Sequence, residues 1–237
     1  MRDLRLTDNF AYANVSVMSL VSVGDAATRL GITARQVQHL VARGELTAPA
    51  RGVIDSDSLE RFLAVMGRDR TRAWAEPTAW GAAALLSGRE ASWMGATQRS
   101  RLRARLRSLT AVELVERTRE RAAVTRYSGH SATTAPLRAA IVDTSPWATR
   151  LGLTPATGVD GYVASKGLDG LVRQFALAPD DGGRIVLRAT TFPIQTVREL
   201  ADAGVVLAAL DLAASLDMRE RRAGLDALTD ALETLRG

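Results

Sequence analysis

The stretch VSVGDAATRLGITARQVQHLVARGEL, residues 21–46, restricts the possible folds more than any other part of the chain. Val23, Ala26, Ala27 and Leu30 recur at helical spacing and line one side of a first short helix. Gly31 follows, where a left-handed turn is sterically easy. Thr33 can cap a second helix. That helix buries Val37, Leu40 and Val41 and stops at Gly44, a natural left-handed terminator. Two short helices joined by a three-residue turn are the expected result.

A rotation of about 100° per residue decides what the second helix shows to solvent. With Val37, Leu40 and Val41 inward, Arg35, His39, Ala42 and Arg43 point outward, flanked by Gln36 and Gln38. No acid lies between Thr33 and Arg43. Arginine and glutamine are the side chains that pair bidentately with guanine and adenine edges in the major groove. After the helix, LTAPARGVI (46–54) is expected to form two short strands around Arg51-Gly52, a small wing. Asp55, Ser56 and Asp57 then start a helix through Leu59, Phe62 and Leu63. This order, with its trailing DSDSLERFL, resembles the excisionase and MerR-like winged helix-turn-helix family. The resemblance implies duplex DNA as partner, with Thr33, Arg35, Gln36, Gln38, His39, Arg43 and Arg51 as the reading surface.

Charge supports a division of labour. Residues 1–130 carry 20 basic and 13 acidic side chains, whereas residues 131–237 carry 11 and 13. A basic first half beside a slightly acidic second half fits a polyanion-binding module attached to something else. Lys166 is the only lysine. The near-exclusive use of arginine fits a GC-rich coding sequence and is not read as function. The chain has no cysteine and only two histidines, His39 and His130. That excludes disulfides, thiolate metal sites, cysteine nucleophiles and multi-histidine centres. With 46% hydrophobic and 24% charged residues it has the composition of a globular protein. No apolar run is long enough to span a bilayer, so no membrane partner is expected. The N-terminus shows no export signal, and a cytoplasmic location is the expectation.

Beyond residue 70 the pattern is largely helical. Glu76-Pro77 opens a helix with Trp80, Ala83, Ala84 and Ser87 on one side. A second begins near Ala96 and buries Leu102, Leu106 and Leu109, with Arg99, Arg101, Arg103, Arg105 and Arg107 between them. Arg99 and Arg103 are taken as candidate phosphate contacts. Thr110-Ala-Val-Glu113 is a capping box for the next helix. Val124–Tyr127 and Arg184–Thr190 read as strands, Ser128–Pro136 as a loop, and Val205–Ala214 as an apolar helix. Asp217 starts a final helix on Leu225, Leu228, Leu232 and Leu235.

Tyr162-Val-Ala-Ser-Lys166 matches the Tyr-x-x-x-Lys pair of short-chain dehydrogenases. No glycine-rich dinucleotide turn precedes it and no alternation of strands and helices is evident, so the match is read as coincidental. Nucleoside-triphosphate loops, nucleophile elbows and zinc-protease motifs are absent. A non-enzyme without cofactor, metal or catalytic residues is expected.

Four later stretches, EPTAWGAAALLSGREASWM (76–94), QRSRLRARLRSLTAVELVERT (98–118), GYVASKGLDGLVRQFAL (161–177) and VVLAALDLAASLDMRERRAGLDAL (205–228), resemble the AbiEi-like type IV antitoxins. That resemblance implies a transcriptional autorepressor acting on its own promoter, with a homodimer on an inverted repeat as the expected arrangement. It also implies a nucleotidyltransferase-family toxin as counterpart. The alternative is a stand-alone regulator or an excisionase-like architectural factor without a toxin. The expected fold class is mainly α with small β elements (α+β). The expected organisation is an extension over 1–20, a winged helix-turn-helix over 21–68, a basic helical connector over 75–127 and an interaction domain over 135–237.

Overall fold

The computed structural model describes residues 20–59, 61–63, 72–154, 158–215 and 217–237. The expected extension over 1–20 therefore lies, apart from Leu20, outside the described residues. The chain is mixed α+β and divides into two compact units, Met1–Met66 and Gly67–Gly237.

In the first unit, β1 (Leu20–Ser22) leads into α1 (Val23–Leu30), and α2 (Ala34–Ala42) follows. Ser22 Oγ accepts the Asp25 amide at 3.0 Å and starts α1, and Gly31 at φ 65° ends it. Ala26, Ala27 and Leu30 of α1 close over Val37 of α2, Leu46, Ile54 and Leu59 to make a small core. Leu40 and Val41 pack at its edge, as the spacing predicts.

The expected wing differs in its pairing. β2 (Val53–Asp55) pairs antiparallel with β1, upstream of α1, in the register Val21↔Ile54. Only an isolated bridge, Ala50↔Val53, joins it to the preceding stretch across a tight turn with Gly52 at φ 83°. Pro49 has no N–H to offer a ladder, which disfavours a strand over 46–50. Asp55 then caps a helical run through 56–59 and 61–63, accepting the Ser58 amide at 3.2 Å.

The second unit carries a five-stranded mixed sheet that the sequence reading did not anticipate. Its strands are β3 (Ala123–Ser128), β4 (Val142–Asp143), β5 (Val159–Ala164), β6 (Ala178–Pro179) and β7 (Ile185–Thr190), in the order β4-β5-β7-β3-β6. β5 and β7 run parallel; the other neighbours are antiparallel. Helices alternate with these strands, contrary to the expectation from the sequence that alternation is missing.

The two faces of the sheet follow the period-two rule of strands. Val159 and Val163 of β5, with Ile185, Leu187 and Ala189 of β7, join one core. There they meet Leu137 of α6 (Thr134–Ala140) and Leu171 of α8 (Leu168–Gln174). Gly161 is required for the approach of β4, since a Cβ there would sit 2.5 Å from the Val142 carbonyl oxygen. The opposite face, with Tyr162, meets a helical layer. That layer holds α3 (Glu76–Leu86), α4 (Ala96–Ser108), α5 (Ala111–Thr118), α9 (Ile194–Ala203), α10 (Val206–Leu212) and α11 (Met218–Arg236). The short helix α7 (Pro146–Arg150) follows β4.

α3 is not one-sided, as its spacing suggested. Residues 79–85 are all buried, which explains why small side chains dominate it. A Cβ at Gly81 would lie 2.4 Å from Met94 Sδ, so the glycine admits that side chain. Trp80 at its middle stacks on Phe192 at 5.8 Å and meets Tyr162 edge-on at 5.3 Å.

Leu102, Leu106 and Leu114 share this core with Tyr162, Leu207 and Leu228. The stretches 75–127 and 135–237 both contribute to this core and both fall within the second compact unit.

Candidate nucleic-acid interface

The outer side of α2 is set by how the helix begins. Thr33 Oγ1 accepts the Gln36 amide at 3.3 Å, and Gln36 Oε1 accepts the Thr33 amide at 2.8 Å. This capping box contributes roughly 1 kcal/mol or more to the helix start. It engages Thr33 Oγ1 and Gln36 Oε1 of two residues expected to touch DNA, and it fixes the first turn of the helix.

Val37 is fully buried beneath the helix. Arg35, Gln38, His39 and Arg43 are all exposed. Arg35 and His39 stand four residues apart, at the crest of the face opposite Val37. Arg43 is paired with Glu45 at 2.7 Å, so it presents a partly neutralised guanidinium. Arg51 is exposed at the Ala50–Val53 turn. Among the described residues, the side chains of Arg35 and His39 on the crest and of Gln38 on its flank form no ion pair.

Arg99 and Arg103 belong to the second unit, on α4. Arg99 is partly buried, and its Nη1 donates to the Met94 carbonyl, which closes the start of the helix. Arg103 is exposed. Around the helix the arginines fall on two flanks of the Leu102–Leu106 stripe. Arg101 and Arg105 lie on one flank; Arg99, Arg103 and Arg107 lie on the other. Arg107 Nε donates to the Leu235 carbonyl at the end of α11.

The sequence reading missed a cluster of buried charges in the second unit. Asp211 on α10 is 4% exposed. Its Oδ1 accepts Arg121 Nη2 and the Tyr162 hydroxyl, both at 2.5 Å, and lies 3.2 Å from Arg188 Nε; its Oδ2 accepts Thr144 Oγ1 at 3.1 Å. Arg188 in turn holds Asp160 through two parallel hydrogen bonds of 2.7 and 2.8 Å. Two arginines and two aspartates balance in charge. Burial pushes the Tyr162 phenol well above its ordinary pKa, against the opposing pull of Arg121, so it stays protonated and donates to Asp211. With its hydroxyl occupied and its ring fully buried, Tyr162 offers no reactive phenol at the surface, while Lys166 is exposed. The Tyr-x-x-x-Lys match is a core tyrosine followed by a surface lysine.

Beside the cluster lies a cleft of about 790 Å³, with Val124, Arg126, Val186 and Arg188 on the strand side and the junction of α10 and α11 on the other. Among the described residues, no group of histidines and carboxylates converges to hold a metal ion. No helix among them is long and apolar enough to cross a membrane.

Comparison with protein-family models, with curated proteins and with solved structures finds no match to this chain.

Proposed function

We propose that the chain is a sequence-specific DNA-binding autorepressor, with the first unit acting as a winged helix-turn-helix and α2 as its recognition helix. The observation that carries this reading is the crest of α2. Arg35, Gln38 and His39 are exposed and free of carboxylates, on a helix whose underside is pinned by Val37 and whose start is fixed by the Thr33–Gln36 cap. A side chain that reads base edges must be held in place by a framework and yet not be spent within it. Arg51, at the tight turn, lies where a wing would reach phosphate, and Arg43 can exchange Glu45 for the same partner.

The mechanism is one of positioning. The crest of α2 enters a major groove, with Arg35 on a guanine edge and Gln38 on an adenine edge. Bound over the promoter of its own gene, the protein excludes polymerase. A homodimer would read half-sites of an inverted repeat about 34 Å apart. The second unit, with its separate core, counters a nucleotidyltransferase-type toxin, as the antitoxin resemblance implies.

Fluorescence anisotropy on DNA from upstream of the gene tests the first part. Arg35→Ala is expected to weaken specific binding by about 1–3 kcal/mol while leaving binding to random duplex nearly unchanged. Wild-type affinity for the promoter in that variant would refute the role of α2. Growth rescue on co-expression with a neighbouring nucleotidyltransferase gene product tests the second part.

A further inference from the structure

The 13 residues of α4 contain five arginines and no acid, and the helix belongs to the second unit rather than to the one that carries α2. Arg101 and Arg105 are exposed and, among the described residues, form no ion pair. Uncompensated charge at this density attracts polyanions.

A second observation concerns what stands next to these two arginines. They form the rim of a groove of about 360 Å³ whose floor and wall include Trp74, Trp93, Met94 and Leu102. No acid lines it. Trp93 is partly exposed and held in one orientation, its Nε1 donating to the Pro77 carbonyl at 3.0 Å and its ring meeting Phe192 edge-on at 4.9 Å. The Arg105 guanidinium lies 5.7 Å from the centre of the Trp74 ring, so the cation is already seated against an aromatic surface. On the other flank of α4, Arg99 donates to the Met94 carbonyl and Arg107 to the Leu235 carbonyl.

An apolar wall beside two guanidinium groups that, among the described residues, have no carboxylate partner matches a chain of alternating rings and phosphates. Duplex DNA would present only phosphates here, since its bases are stacked inward. An unpaired strand presents both. We infer that the groove between α4 and Trp93 binds single-stranded nucleic acid, with a base against the indole and adjacent phosphates on Arg101 and Arg105. This inference stands apart from the reading of α2, because it uses different residues on a different unit.

The experiment titrates the full-length protein with fluorescent oligothymidylate and oligouridylate of about twelve nucleotides, long enough to fill such a groove. A random-sequence duplex serves as competitor. Binding to at least one single strand is expected, with quenching of tryptophan fluorescence. Arg101→Ala/Arg105→Ala should weaken it by at least about fivefold. The same variant should flatten the dependence of log affinity on log salt by about 1.4, since each phosphate on a single strand contributes about 0.7. Arg35→Ala should leave this binding unchanged, which separates its failure from that of the α2 reading. Arg103→Ala/Arg107→Ala removes equal charge from the other flank and should have the smaller effect. The inference falls if neither strand binds, if the duplex displaces them at equal concentration, or if both arginine pairs matter equally. Circular dichroism checks that each variant keeps its helices.

Discussion

Arg121 and Asp211 are 90 positions apart in sequence and meet at 2.5 Å in the core of the second unit, each almost fully buried. The carboxylate also faces Arg188, so it separates two guanidinium groups that would otherwise confront one another. Removing a buried ion's partner leaves an uncompensated charge and costs about 3–5 kcal/mol. Asp211→Ala is therefore expected to lower the stability of the second unit by that amount, read as a fall in the urea midpoint. An unchanged midpoint would mean that both arginines reach water.

Glu76 gives a prediction that depends on pH. Its Oε1 accepts the amides of Thr191 and Phe192 at 3.0 and 3.2 Å, and its carboxylate also accepts the hydroxyls of Thr190 and Thr191. Burial acts to raise its pKa, yet these hydrogen bonds together hold it below the ordinary value of 4.5. A group lowered on folding adds stability above its unfolded pKa and loses it as pH falls through the folded one. Glu76→Gln should therefore destabilise the protein at pH 7, by up to about 2 kcal/mol since the group is partly solvated. The difference from wild type should shrink as pH falls below 4.5. A gap that stays constant down to pH 3 would contradict this account.

Two glycines should respond in opposite directions to the same substitution. At Gly224 of α11 a Cβ would sit 2.4 Å from the Ala213 amide nitrogen and 2.6 Å from the Ala209 carbonyl oxygen. These are backbone atoms of the α10 segment and cannot swing aside, so Gly224→Ala should cost about 1–3 kcal/mol. Gly170 lies inside α8 with nothing within 4 Å of the same point. There alanine removes only freedom of the unfolded chain, and Gly170→Ala should raise stability by about 0.4–1 kcal/mol. Thermal melts of the two variants should bracket the wild type.

The cap of α2 can be tested apart from any DNA contact. Thr33→Ala removes one half of the reciprocal Thr33–Gln36 pair and should cost about 1 kcal/mol in the first unit. Thr33→Ser should restore it. Amide exchange at Gln36 and Val37 reads the effect directly, and protection equal to wild type in Thr33→Ala would contradict it.

What could be read from the sequence was local. The starts of α2, α5 and α11 lay open because Thr33, Thr110 and Asp217 cap within three residues of themselves. The bounds of β3 and β7 could be read from runs of apolar and β-branched residues. β5 is hard to read in the sequence because its six residues include Gly161 and Asp160, which are poor strand formers. α3 was given one face because alanines contrast weakly with their neighbours, and only the packing reveals burial all round. The Asp211 cluster was beyond sequence reasoning. Its members come from a helix, two strands, the turn before β3 and the residue after β4, and one buried aspartate in an apolar helix is the single clue. The groove beside α4 escaped for the same reason, since Trp74 and Trp93 lie on different segments from the arginines they face.

The contact boundary at Met66 and Gly67 also says where such a protein can be recombined. A hybrid joined there inherits two interiors already complete, so the front end could be exchanged like a cassette. A hybrid joined in the loop after β3 inherits only one half of the interior that Trp80, Leu114, Tyr162 and Leu228 share, and would have to complete it with foreign side chains.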